Sequence, residues 1–310
     1  MSEAIRIEGL TRRFGRVTAL DGVSLHVQGG EFFALLGPDG AGKTTLCRIL
    51  AGILDPTEGQ AEVAGFDVVK QREPLKDVIG YMPQAFGLYP DLTVDENIEF
   101  YADLFGVPRQ ERRERKQRLL EMTYLSKFTR RHAGNLSGGM KQKLTLAVCL
   151  IHTPRVLILD EPTLGVDPVS RREFWKLLYD LISEGVLIFV ATSYMDEAQR
   201  CHRVAVLDRG RVLACDPPDD VRARVRGRML EVTPPDLDAA VTLARQCAGV
   251  VMATPFGETL HVLLEEGAVG EPVLRERFTG IGVPSDQIRE VSPSLEDAFI
   301  YLVRTAGAPA

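Results

Sequence analysis

The sequence predicts an α/β fold: a buried parallel sheet with flanking helices, followed by a small α+β domain. Three observations predict it. Glu31-Phe32-Phe33-Ala34-Leu35-Leu36 is a short apolar block suited to a buried strand. It runs into Gly37-Pro38-Asp39-Gly40-Ala41-Gly42-Lys43-Thr44, a complete phosphate-binding loop, after which Leu46, Ile49, Leu50 and Ile53 recur at helical spacing. A second apolar strand, Arg155-Val156-Leu157-Ile158-Leu159, ends in the carboxylates Asp160 and Glu161 and is expected beside the first in the same sheet.

Strand, glycine loop and helix together make an anion cradle. The glycines let backbone N–H groups turn inward, the helix N-terminus adds positive potential, and Lys43 reaches the β/γ-phosphates. Thr44 is expected to offer its hydroxyl to Mg²⁺, and Thr45 to bond an inner phosphate. Asp160 is then expected in the Mg²⁺ shell and Glu161 as the general base for an attacking water. Taken alone, a strand ending in Asp-Glu fits helix-cap chemistry equally well. The phosphate loop upstream is what turns the pair towards nucleotide chemistry.

Composition bounds the rest. At 310 residues the chain suggests about two domains, and 45% hydrophobic with 26% charged residues is ordinary for a globular protein. No apolar run approaches the ~18 residues of a membrane span, and Met1-Ser2-Glu3 does not open a signal peptide. A membrane role is therefore expected through a partner. The net charge of −6 argues against broad nucleic-acid binding. The five cysteines (Cys47, Cys149, Cys201, Cys215, Cys247) form no CxxC, which fits reduced cytosolic thiols rather than disulfides or a zinc site.

Leu136-Ser137-Gly138-Gly139-Met140 opens a helix that continues through Leu144, Ala147, Val148 and Ile151. It resembles the signature motif of ABC ATPases, with Met140 where Gln is usual. The resemblance implies a P-loop NTPase core of ABC type, with an antiparallel β-subdomain and an inserted α-helical subdomain. It implies ATP and Mg²⁺ as cofactors, and a signature that grips the ATP held by an opposing ATPase domain. It further implies that Phe14 stacks on adenine, though a core Phe is the alternative. Gln84, in Tyr81-Met82-Pro83-Gln84, matches the family's Q-loop, touching Mg²⁺ or water, and Asp167 its D-loop, with Leu164 where Ser is common. Asp39 stands where Asn is usual, so its carboxylate is expected to point away from the phosphates.

The switch stretch Thr192-Ser193-Tyr194-Met195-Asp196-Glu197 carries Ser193 where the family has a His on the γ-phosphate. His202 does not replace it: nine helical residues place it roughly 13 Å away. The resemblance thus implies a site that binds ATP but turns over slowly, with Ser193 tolerated without loss as the alternative.

Along the chain, Ala4–Ile7 and Val23–Val27 read as strands of the β-subdomain, and the pattern is helical from about Tyr89 to Ile151. The basic run Arg109 to Arg118 resembles a nucleic-acid patch, but Glu111–Arg115 and Glu114–Arg118 are i,i+4 pairs, and a solvated helix face is the reading adopted. Val186–Ala191 and Val204–Asp208 complete the core. Beyond Asp216-Pro217-Pro218, strands Met229–Val232, Val250–Thr254, Leu260–Leu264 and Ile288–Val291 alternate with helices Leu237–Cys247 and Val273–Phe278 in the βαββαβ order of a ferredoxin-like domain. Ser294 is expected to cap a last helix. The ending Ser294-Leu295-Glu296-Asp297 resembles the tail of ABC-2-type exporter ATPases, and Thr192-Ser193-Tyr194-Met195-Asp196 the first ATPase half of tandem-ATPase efflux subunits.

The expected organisation is an ATPase domain over 1–225 with the helical subdomain at about 88–152, an accessory domain over 226–304, and a flexible tail over 305–310. The accessory domain reads as a stabilising or dimer-contact module or a regulatory sensor. The expected function is an ATP-hydrolysing subunit that energises a separate membrane permease for export, cytoplasmic and peripheral on the membrane. Its partners would be the permease and a second ATPase domain, from a copy of the chain or, as favoured here, from a different chain; no nucleic acid is expected. The alternatives are a nucleotide-binding regulatory subunit with negligible turnover and a soluble ABC protein of translation or DNA repair.

Overall fold

The computed structural model describes residues 3–85, 87–267 and 270–307. The chain divides into two compact units, Met1–Cys215 and Asp216–Ala310. The division falls before the expected boundary near Arg226, because the short helix that follows Pro217 packs against the last helix of the second unit.

In chain order the first unit contains β1 (Glu3–Phe14), β2 (Val17–Gln28), β3 (Phe32–Leu36), α1 (Lys43–Leu50), β4 (Glu58–Val63), β5 (Phe66–Asp67), α2 (Arg72–Lys76) and β6 (Ile79–Met82). It continues with α3 (Val94–Leu104), α4 (Arg109–Met122), α5 (Gly138–Leu150), β7 (Val156–Asp160), α6 (Pro168–Ser183), β8 (Leu187–Thr192), α7 (Met195–Ala198), β9 (Arg203–Asp208) and β10 (Arg211–Asp216).

Every residue of β3, β7 and β8 is buried, as parallel strands covered on both faces require. They lie in a six-stranded sheet ordered β10-β9-β3-β8-β7-β6, in which β8 runs parallel to both β3 and β7. The strand bearing Asp160 is thus one strand removed from the phosphate-loop strand, and the switch strand β8 fills the place between them. All three carboxyl ends meet at one edge, the usual ligand position of an open α/β sheet. The antiparallel sheet β2-β1-β4-β5 matches the expected β-subdomain, and β2 alternates buried and exposed positions through its second half.

Two local expectations change. α1 stops at Leu50 because Gly52 takes the left-handed conformation (φ +68°), a common helix end, so Ile53 lies outside it and is 62% exposed. On α4, Glu111–Arg115 pairs as expected, but Arg118 reaches across to Glu184 rather than back to Glu114.

The second unit contains α8 (Pro218–Arg222), β11 (Arg228–Val232), α9 (Leu237–Arg245), β12 (Val250–Phe256), β13 (Thr259–Leu264), α10 (Glu271–Gly280), β14 (Ile288–Val291) and α11 (Leu295–Gly307). Its sheet order, β12-β13-β11-β14 with antiparallel neighbours, is that of the split βαβ ferredoxin-like motif. Leu230, Val262, Ala240, Leu274 and Phe278 form its core. Ser294 Oγ accepts from Asp297 N–H at 3.1 Å, capping α11 as expected. Thr305-Ala306-Gly307 belong to that helix rather than to a loose tail, and the Thr305 hydroxyl donates to the Tyr301 carbonyl at 3.0 Å. Residues 308–310 of the expected tail lie outside the described residues.

Candidate functional site

The phosphate loop leaves β3 at Leu36 and enters α1 at Lys43. Two glycines are imposed by packing: a Cβ at Gly37 would lie 2.3 Å from the Leu207 carbonyl oxygen, and one at Gly42 2.4 Å from that of Ala19. Gly42 also has φ +110°, and as N-cap it has no side chain to occupy the first N–H groups of α1. Those donors face an anion site by default.

Lys43 Nζ, 5% exposed, donates to the carbonyls of Gly37 at 2.7 Å and Pro38 at 3.0 Å, and lies 3.0 Å from Glu161 Oε1. Thr44 Oγ1 donates to Asp160 Oδ1 at 3.0 Å. Asp160 is buried, and desolvation, with the Glu161 charge adding, holds its carboxyl above the usual range although the Thr44 hydroxyl pulls it down. Glu161 sits at φ +50°, a strained backbone for a non-glycine residue, and its N–H is fixed to the Ala191 carbonyl at 2.9 Å. Its Oε2 accepts from Ser193 N–H at 3.2 Å and Ser193 Oγ at 3.3 Å. One cavity of about 310 Å³ is lined by Ala19, Asp39, Gly40, Gly42, Lys43, Thr44, Thr45, Gln84 and Glu161.

The donor set fits a hard dication. Thr44 and Gln84 line the cavity with side-chain oxygens, Thr44 Oγ1 is bonded to Asp160, and Asp160 is a buried acid whose ionised form a cation would favour. The Asp39 side chain is fully exposed, but its Oδ1 lies 4.0 Å from Lys43 Nζ and the residue lines the cavity, so the carboxylate is not turned away from the cradle as expected: the lysine charge draws it in. Pro38 and Ala41 shape the loop, with Ala41 N–H bonded to the Pro38 carbonyl at 3.2 Å.

Other expected site residues stand apart. Phe14 is 45% exposed at the end of β1, so it is not a core residue, and the Arg12 guanidinium lies 4.4 Å over its ring. His202 Nδ1 accepts from Phe32 N–H at 3.0 Å, which pins it at the amino end of β3, away from Ser193. Leu136, Ser137, Gly138, Gly139 and Met140 do not line the Lys43 cavity. Ser137 caps α5 by accepting from Met140 N–H at 3.3 Å, and Ser137 and Gly138 are exposed while Leu136 is buried. A Cβ at Gly139 would lie 2.4 Å from the Ser170 side chain, so glycine lets α5 press against the start of α6. Asp167 caps α6 by accepting from Val169 N–H at 3.1 Å and Ser170 N–H at 2.9 Å; the Ser170 bonds hold its carboxyl below the usual range.

The sequence reading missed Ala19, whose carbonyl crowds Gly42, and any role for Glu197, a buried acid behind the switch strand. Nothing in Thr192-Ser193-Tyr194-Met195-Asp196-Glu197 sets this acid apart from its neighbour Asp196.

A phosphate cradle, a second carboxylate strand and a capped Ser-Gly-Gly turn now stand in one unit, and comparison with known proteins assigns the combination. The ABC transporter family pattern matches residues 20–164. Over 300 residues the chain is 36% identical to Nod factor export ATP-binding protein I of Ralstonia nicotianae, covering 96% of this chain and 93% of that protein. The chain belongs to the ABC transporter family. Another relative of this ABC chain, daunorubicin resistance ATP-binding protein DrrA2 of Streptomyces coeruleorubidus, is 34% identical over 304 residues and covered to 94%. With the probable multidrug ABC transporter ATP-binding protein YbhF of Escherichia coli identity is 43% over 311 residues, 98% of this chain, but the chain spans about half (52%) of that relative. Among solved structures, cbiO1 from Clostridium perfringens, part of an ABC transporter complex, has a TM-score of 0.66 at 31% identity, covering 72% of this chain and 92% of that one. A dimeric ATP-binding cassette in a post-hydrolysis state with ADP and Pi has a TM-score of 0.63 at 28% identity, covering 69% and 98%. ABC cassettes thus share the fold of the first unit.

Proposed function

We propose that the chain is the ATP-binding and ATP-hydrolysing subunit of an exporter, driving a separate membrane permease. The observation that carries this is the convergence of Lys43, Thr44 and Glu161 on one cavity, with Asp160 bonded to Thr44, in a chain that also carries an exposed Ser137-Gly138 turn. The relatives named for Nod factor export, daunorubicin resistance and multidrug transport support the export reading. Among the described residues no helix is long and apolar enough to cross a membrane, so the chain would sit peripherally on the permease.

The chemistry follows from the site. Backbone N–H groups of the loop and of α1 hold the phosphate oxygens, and Lys43 neutralises charge on the β/γ end. Glu161, fixed by Ser193, takes the proton of the attacking water. Thr44, Asp160 and Gln84 would hold Mg²⁺, which would supply neutralisation of phosphate charge. Ser137 and Gly138 would complete the site of an opposing cassette, and that cassette would complete this one.

A second reading has its own observation: Ser193 spends both its N–H and its hydroxyl on Glu161, where an imidazole would extend to the γ-phosphate. Slow turnover at this chain's own site, paired with a more active site on a different cassette, is consistent with that. Single-turnover hydrolysis in the assembled complex tests both. Permease-dependent hydrolysis that Glu161→Gln abolishes is expected, as is a rise of at least about tenfold at this site in Ser193→His. Hydrolysis at full rate at both sites in the parent would reject the asymmetry; hydrolysis unaffected by Glu161→Gln would reject the site itself.

A further inference from the structure

Glu197 lies outside the cavity around Lys43, yet it is the carboxylate on which the segments framing that cavity converge. It sits on α7, just past β8, and is 1% exposed. Four side chains from three segments donate to it. The Thr163 hydroxyl, in the loop after β7, donates to Oε1. Arg171 Nε at 2.9 Å and Trp175 Nε1 at 3.2 Å donate to the same oxygen from α6. The Thr192 hydroxyl, at the end of β8, donates to Oε2 at 2.7 Å.

Three of the four donors adjoin a group that the nucleotide reading uses. Thr163 follows Glu161 by two residues, and Thr192 immediately precedes Ser193, which holds Glu161. The Thr192 carbonyl also accepts from Gly37 N–H at 3.3 Å, tying the mouth of the phosphate loop to the same point. Arg171 N–H bonds the Asp167 carbonyl at 2.9 Å, in the first turn of the helix that Asp167 caps. Among the described residues Arg171 is the cation paired with Glu197, and its Nη2 reaches Asp196 at 2.9 Å. A buried acid is expensive to keep unless every bond is made, and apolar side chains would fill the space at lower cost.

We propose that Glu197 is a positioning residue that locks the Glu161 loop, the Ser193 switch and the Asp167 helix into one unit, so that nucleotide engaged at one is felt at the others. The inference rests on the nucleotide reading above. Trp175 supplies a readout of its own: it is the one tryptophan of the chain, stacked on Phe32 at 5.1 Å and bonded to Glu197 through its indole N–H.

The test titrates the full chain and its Glu197→Gln variant with Mg·ATP, following tryptophan emission, calorimetric affinity, melting temperature and turnover. In the parent, emission should change as ATP saturates. In Glu197→Gln, affinity should stay within about twofold, the emission response should vanish, and kcat should fall at least about tenfold at similar KM. Thr192→Val, which removes one donor and keeps the shape, should shift emission and kcat in the same direction by less. An emission response in Glu197→Gln equal to the parent's would overturn the proposal. So would a parent whose emission ignores bound ATP, or a variant whose affinity and melting temperature fall in step with kcat, the mark of a purely structural role. A parent that binds ATP without hydrolysing it defeats the ATPase reading alone, because the emission comparison still judges Glu197; one that binds no ATP defeats both.

Discussion

Lys43 is held by two carbonyls of its own loop and faces Glu161, so its ammonium is oriented before any phosphate arrives. Removing it as Lys43→Ala should weaken ATP about 10- to 100-fold, the worth of a charge-assisted hydrogen bond, as read by calorimetry with Mg·ATP. Asp160 carries the opposite cost. Its carboxyl is raised by burial, and a raised acid is one whose ionised form opposes folding at neutral pH and ceases to oppose it as pH falls. Asp160→Asn should therefore raise the melting temperature of the metal-free chain, by about 2–4 °C, while abolishing the Mg²⁺ dependence of ATP binding. No change in either quantity would remove Asp160 from the cation site. At this scale the sequence was most legible where chemistry is local. Gly37 to Thr44 are contiguous, so their spacing reveals the cradle. Glu197 was illegible because its donors Thr163, Arg171 and Trp175 come from distant segments and meet it only in the folded sheet.

Between elements, the contact of α5 with α6 places the Ser137 turn beside the helix that Asp167 caps. Gly139→Ala would drive a methyl group into Ser170, with an expected loss of about 1–3 kcal/mol in denaturant unfolding, and Ser170→Gly in the same chain should restore most of it. In the second unit, His261 on β13 bonds Asp297 on α11 through Nδ1 at 2.9 Å, lies 3.6 Å from Glu231 on β11, and stacks on Phe256. The bond to Asp297 raises the imidazole above its usual 6.5 against the pull of burial. Burial pushes Asp297 up, but its bonds from His261 and Ser294 prevail and hold it below 3.8. For His261 the stabilisation is complete below pH 6.5 and fades as pH rises through its raised value; for Asp297 it is complete above 3.8 and fades as pH falls through its lowered value. Melting of the second unit should thus peak in mildly acidic buffer and fall towards pH 9, and His261→Gln should flatten that alkaline decline. Elements themselves were legible from periodicity and turn residues. Their order was not: nothing in β3, β7 or β8 alone says that β8 lies in the middle, because crossovers decide it, and Arg118 chose Glu184 because α6 comes close in space.

For the whole molecule, the ferredoxin-like order of the second unit was readable from its βαββαβ pattern, whereas the division at Cys215 depended on α8 packing with α11, a contact that composition does not record. The first unit exposes Ser137 and Gly138 away from its own Lys43 cavity, so the catalytic account requires two cassettes facing each other. The direct measurement is the mass and bound-nucleotide count of the Glu161→Gln chain, purified with its membrane associates, with and without saturating Mg·ATP. The account predicts a nucleotide-dependent species holding two cassettes with ATP enclosed, lost again in Lys43→Ala. A cassette that stays single at saturating Mg·ATP, with those associates present, would contradict it.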